Sequence, residues 1–195
     1  MAATACSGAD DGRTSVYSAG SGDLRGSVYP EPLPRPDFTF TDTAGEPYPF
    51  LGRTEGKLTF LFFGFTTCPD VCPVHMSGLA AALGELPFED RAKVEVVFVT
   101  IDPERDTPDR IREWLDAFDP SFVGLTAPLD QANAVLGELL MGPASHIARE
   151  DSGYDVVHPA AVVAFSPDGP ARVRYPFGTR RADWSHDVPR LLDGS

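Results

Sequence analysis

The chain has 195 residues, enough for one domain with a sizeable core and a tail. Hydrophobic residues make up 42% and charged residues 23%, a globular balance, and no apolar run reaches the ~18 residues that a membrane-spanning helix needs. A net charge of −13 excludes the clustered Lys and Arg that phosphate neutralisation demands, so nucleic acid is not an expected partner, and the acidity reads as a solvated surface.

In chain order, residues 1 to 30 are rich in Gly, Ser, Ala and Asp and poor in large apolar side chains. Such a stretch buries too little surface to offset its ordering entropy, and residues 1–34 are expected to be a flexible tether ahead of a folded domain at 35–195. Within it "TACSG" looks like the end of a bacterial lipoprotein signal, with Cys6 as the lipidated residue, although the apolar segment that should precede it is absent. The domain is then expected at the extracytoplasmic face of a bacterial cell membrane, lipid-anchored and not spanning it.

"DFTFTDTAGEPYPF" alternates apolar and polar residues around a turn containing Gly45, which predicts a hairpin. "KLTFLFFGF" (57–65) and "KVEVVFVTID" (93–102) are continuous apolar runs, expected as strands buried on both faces of a sheet. Between them "PVHMSGLAAALGEL" has helical spacing, and "TPDRIREWLDAF" opens a second helix with Thr107 as N-cap and Pro108 behind it. "FVGLTA" predicts a short strand and "LDQANAVLGELLM" a helix. "AAVVAFSPDGPARVRYPF" reads as two strands joined by a Pro-Asp-Gly turn, and a last amphipathic helix covers about 182–192. The order is an α/β, thioredoxin-like arrangement with a central mixed sheet and an N-terminal hairpin, placing "TTCPDVCP" at the C-terminal end of a central strand, where such sheets carry their sites.

Cys68 and Cys72, four apart at a helix start, have Cα atoms about 6 Å apart, within disulfide range. The helix N-terminus favours thiolate, whereas Asp70 between them and the acidic chain are expected to oppose it. A structural disulfide is the weakest reading, because so short a loop constrains little entropy. A redox pair and a pair of metal ligands both remain open on spacing alone. His158, just before the strand expected to return beside the cysteine strand, can bring an imidazole to the sulfurs, and two thiolates with one imidazole suit Cu(I) better than structural zinc.

"FLFFGFTTCPDVCPVHM", "VTIDPERDTPDRIREWL" and "VVHPAAVVAFSPDG" together resemble the Sco/SenC family of copper-binding proteins over about residues 36–192. The resemblance implies that Cys68, Cys72 and His158 bind one copper ion per chain, as Cu(I), Cu(II) or both. It further implies a metallochaperone, not an enzyme, that assists assembly of the binuclear CuA centre in subunit II of cytochrome c oxidase, with another extracytoplasmic copper carrier as a further partner. The alternative is a thiol–disulfide oxidoreductase that uses Cys68 and Cys72 to reduce the CuA-site cysteines of the same target. Pro159 departs from related sequences, which tend to have a hydroxyl or aliphatic residue there, and it leaves the ligand in place. A peroxidase is disfavoured, since no Thr and Arg partners accompany the cysteines.

The remaining candidates read as support. Asp70 is expected to cap the helix, His75 to neighbour the site without ligating, and Met76 to lie in the core. Asp102, Arg105 and Asp106 are expected to build the loop and cap the following helix, while His146 and His186 are read as surface residues.

Overall fold

The computed structural model describes residues 18–19, 23–150 and 152–194. Cys6 and most of the expected tether lie outside them. The strands in chain order are β1 (Ser18–Ala19), β2 (Ser27–Leu33), β3 (Thr39–Asp42), β4 (Pro47–Pro49), β5 (Leu58–Gly64), β6 (Val94–Thr100), β7 (Val123–Thr126), β8 (Ser145–Ala148), β9 (Tyr154–Val157), β10 (Ala161–Phe165) and β11 (Ala171–Pro176). The helices are α1 (Phe50–Arg53), α2 (Val71–Leu83), α3 (Phe88–Arg91), α4 (Pro108–Asp116), α5 (Leu129–Glu138) and α6 (Arg181–Leu192).

The main sheet runs β1-β2-β11-β10-β5-β6-β7-β3-β4, with β5, β6 and β7 parallel and β10 antiparallel to β5. All seven residues of β5 are buried, which is why that stretch is apolar without alternation. Its Phe60 and Phe62 meet Trp184 of α6 and His75 of α2 at ring separations of 5.7 and 5.3 Å, while Phe98 of β6 meets Trp114 of α4 at 4.9 Å. Three helices therefore cover the same face, as two successive right-handed crossovers require for α2 and α4. This is the thioredoxin-like mixed α/β fold expected, with the hairpin β3–β4 added beside β7. That hairpin turns at Gly45, whose φ of +83° suits glycine, and Asp42 accepts from the Ala44 and Glu46 N–H groups to fix it.

The folded part begins earlier than residue 35. β2 lies within the stretch expected to be tether, pairs with β11 and buries Tyr29. The carboxylate of Asp187, fully buried on α6, accepts the N–H groups of Arg25 and Gly26, tying the entry to this strand. Low apolar content hid the strand, which buries only Tyr29 fully and is held besides by partly buried Val28 and Leu33 and by its pairing with β11.

Candidate metal centre

The loop Phe65–Pro69 leaves the end of β5, and Cys72 sits in the first turn of α2. Asp70 caps that helix as expected, its exposed carboxylate accepting the Val71 N–H at 2.6 Å. His158 follows β9 and precedes β10, and because β10 pairs with β5 the imidazole arrives above the cysteine loop. One donor atom from each of Cys68, Cys72 and His158 lies within 4.8 Å of the others, a group able to hold one metal ion. The Cys72 Sγ to His158 Nε2 separation is 3.9 Å, and the site opens on a shallow cleft of about 300 Å³ lined by Phe65, Cys68, Pro69, Val71, Val157 and His158.

Hydrogen bonding fixes the histidine's tautomer. His158 Nδ1 lies 3.0 Å from the Phe63 carbonyl oxygen and 3.1 Å from that of Pro159, and a carbonyl only accepts. Nδ1 therefore carries the proton, which leaves the Nε2 lone pair facing the sulfurs. The rings of Phe65 and Phe62 stand edge-on to it at 5.5 and 6.1 Å, limiting its rotation. Pro159 contributes through its carbonyl, so this departure from related sequences is compatible with the ligand.

The two thiols, both reduced, are unequal. A hydrogen bond from the Cys72 thiol, with further ones from the Cys72 and Asp70 backbone, draws Cys68 down to about 4 against the opposing effect of burial. The Cys72 N–H reaches Cys68 Sγ at 3.4 Å. Cys72, fully buried and pointing its proton at the Cys68 sulfur, is pushed well above the ordinary thiol range. The expectation that Asp70 would oppose thiolate formation is thus overturned for Cys68. The Asp70 carboxylate is engaged at the helix cap, and the donors around Cys68 are local, whereas the acidity of the chain is spread over the surface.

Asp102 and Asp106 do more than shape a loop. Asp106, 1% exposed, accepts the Thr66 N–H at 2.9 Å, the Thr66 hydroxyl at 2.5 Å and the Thr100 hydroxyl at 2.7 Å, and so braces the cysteine loop. Asp102, also buried, accepts from Arg105 at 2.5 Å and from the Tyr154 hydroxyl at 2.7 Å, pinning the β8–β9 hairpin. Thr107 caps α4 as expected. Met76 is core, and His75 is a fully buried neighbour whose Nε2 lies 3.3 Å from the Ala160 carbonyl oxygen.

His146 and His186 are not simple surface residues. His146 stacks on Tyr154 at 4.6 Å and hydrogen-bonds the Ile101 carbonyl, while His186 contacts Asp187 at 2.8 Å. The carbonyl that His146 reaches is 45 residues away in sequence, whereas the carboxylate beside His186 belongs to the next residue. Gly64, the last residue of β5, escaped notice altogether. A Cβ there would come within 2.8 Å of Cys72 Sγ, so the missing side chain is the space the thiol occupies. A glycine closing an otherwise bulky strand just before the cysteine loop was the available signal.

A thioredoxin-like sheet whose central strand delivers two thiols to a tautomer-locked imidazole defines a protein built for soft-metal or thiol chemistry. The SCO1/SenC family description matches residues 30–193, and the chain belongs to that family. Among relatives, a Stutzerimonas stutzeri protein named for copper binding is 34% identical over 151 residues, covering 74% of this chain and 71% of that one. The mitochondrial protein SCO2 of Saccharomyces cerevisiae is 40% identical over 98 residues, covering 50% of this chain and 32% of its own, so the match spans about a third of that relative. Copper-bound ScoI from Bradyrhizobium japonicum superposes with a TM-score of 0.68 at 30% identity, covering 81% of this chain and 99% of that one. Apo Sco1 from Thermus thermophilus gives 0.77 at 29% identity, covering 89% of this chain and 100% of that one.

Proposed function

We propose that this protein is a copper chaperone that takes one copper ion on Cys68, Cys72 and His158 and assists assembly of the CuA centre in subunit II of cytochrome c oxidase. The observation that carries the reading is the His158 Nε2 lone pair held 3.9 Å from Cys72 Sγ by the Nδ1–H bond to Phe63. Two sulfurs and one such nitrogen are a soft, low-coordination donor set that fits Cu(I), and a structural zinc site would ask for a fourth protein ligand. The raised acidity of Cys68 means that one ligand is already deprotonated at neutral pH, so little proton competition opposes metal capture there. Cys6 is proposed as a lipid anchor on the extracytoplasmic face, on the strength of "TACSG"; no helix among the described residues is long and apolar enough to cross a membrane.

One observation favours the second reading, thiol–disulfide exchange with the same target. A Cys68 thiolate beside a protonated Cys72 is the arrangement of an attacking and a resolving thiol. A thiolate of such low basicity is a weaker nucleophile than one titrating near neutral pH, which keeps the chaperone first. The test mixes copper-loaded protein, and separately copper-free reduced protein, with the soluble CuA domain, following metal and thiols independently. Metal moving with no net loss of thiols supports donation. Loss of two thiols from this protein, matched by two gained on the target without metal movement, would replace it with the reductase. Removing residues 1–22 should leave copper affinity intact and abolish membrane association; retained membrane association would refute the anchor.

A further inference from the structure

We propose that His75 and Tyr154 are positioning residues for the copper site: they pin the segment carrying His158 at both ends, so that its imidazole meets the two sulfurs. The inference rests on the ligand set proposed above. His158, Pro159 and Ala160 lie in neither neighbouring strand, since β9 ends at Val157 and β10 begins at Ala161. No strand ladder therefore holds them. At one end, four residues before His158, the Tyr154 hydroxyl donates to buried Asp102 at 2.7 Å. At the other, two residues after it, the Ala160 carbonyl accepts from His75 Nε2 at 3.3 Å. Between these pins the histidine rests its own Nδ1–H on Phe63.

His75 is an unusual residue for packing alone. It is fully buried, edge-on to Phe62 at 5.3 Å and Trp184 at 6.2 Å, and its Nδ1 has no hydrogen-bond partner. Leu or Met would fill that space without stranding a polar nitrogen, so what His75 adds over them is the single bond to Ala160. It stands one turn after Cys72 on α2, and the bond ties the helix bearing one sulfur to the segment bearing the nitrogen. Misplacing His158 by a fraction of an ångström would loosen its bond to the metal while leaving the thiols in place.

The experiment is a double-mutant cycle on the whole chain, with copper as the probe. His75→Leu removes the donor. His75→Gln keeps an N–H near the position of Nε2. His75→Leu is expected to weaken copper binding about 10- to 100-fold, the usual effect of losing a residue that orients a ligand, and to shift the thiolate-to-Cu(II) charge-transfer bands toward those of His158→Ala. His75→Gln should recover most of the affinity. In a His158→Ala background, His75→Leu should cost nothing more, because it acts only through His158. In the copper-free protein, hydrogen exchange around Ala161 should quicken in the Leu variant and stay slow in the Gln variant. Should His75→Leu fail to fold, Tyr154→Phe, which deletes one hydroxyl on a half-buried residue, carries the same cycle. Affinity lost equally with and without His158 would overturn the inference, as would wild-type binding in both His75→Leu and Tyr154→Phe. Wild-type copper binding in His158→Ala itself would instead remove the ligand set, and the positioning role with it.

Discussion

Replacing Asp106 by Ala tests how the cysteine loop is held. The carboxylate is buried, does not touch the metal site, and accepts three hydrogen bonds, from the Thr66 N–H, the Thr66 hydroxyl and the Thr100 hydroxyl. Bonds to a charged acceptor contribute about 1.5–3 kcal/mol each, so simple loss of all three would cost roughly 5–9 kcal/mol. Two effects reduce this. The hydroxyls can turn, and both keep other partners: Thr66 Oγ1 accepts from Arg110 at 2.7 Å and Thr100 Oγ1 from the Asp102 N–H at 3.0 Å. The variant also no longer desolvates a carboxylate. The net expectation is a loss of about 3 kcal/mol, dominated by the stranded Thr66 N–H, or roughly 6–12 °C in Tm for a domain of this size. Asp106→Asn keeps one acceptor oxygen and should lose about half as much. Urea unfolding of the copper-free protein measures the change, and copper titration well below the transition should show weaker binding, because Thr66 stands two residues before Cys68. An Ala variant within about 0.5 kcal/mol of the parent would refute the bracing role, since that is the effect of an ordinary surface substitution.

Gly64→Ala should destabilise by about 1–3 kcal/mol and weaken copper binding, because its Cβ would press on Cys72 Sγ at 2.8 Å; unfolding and copper titration of the one variant report both. Alkylation of the copper-free protein by iodoacetamide should target Cys68, with an inflection near pH 4, while Cys72 stays protected; an inflection near the ordinary thiol value of 9 would contradict the thiolate assignment. Burial holds the His75 imidazole below its ordinary 6.5, so the unfolded chain takes up that proton first. The stability this contributes is complete above pH 6.5 and declines as pH falls below it, by up to about 1.4 kcal/mol per pH unit. Cys68, also lowered, adds a decline in the same direction, so the His75 share is the difference in slope between the parent and His75→Gln, and equal slopes below pH 6.5 would refute it.

The central strands were legible because burial on both faces leaves a bare apolar run, as in "LTFLFFG", and α4 because Thr107 and Pro108 carry their capping chemistry in the chain. The meeting of Cys68, Cys72 and His158 followed from topology: a residue just ahead of a strand that pairs with β5 must arrive near the end of β5. Other features depend on groups that leave no mark in composition. The lock on His158 is a backbone carbonyl, which every residue has, and the role of Asp106 depends on a threonine 40 residues away. β8 and β9 are four residues each, largely exposed, and pair only with each other, so neither the period nor the apolar content of "SHIA" and "YDVV" singles them out. The acidity of Cys68 was misjudged because net charge and sequence neighbours are poor proxies for the few donors within hydrogen-bond reach of one sulfur.

The central claim, that copper is held by two sulfurs and one nitrogen from this chain, is tested most directly by X-ray absorption at the copper edge of the Cu(I)-loaded protein, beside His158→Ala. The account predicts one copper per chain with two sulfur neighbours and one imidazole nitrogen, and loss of the imidazole scattering in the variant. A nitrogen signature that survives His158→Ala, or a parent site with sulfur neighbours alone, would contradict it.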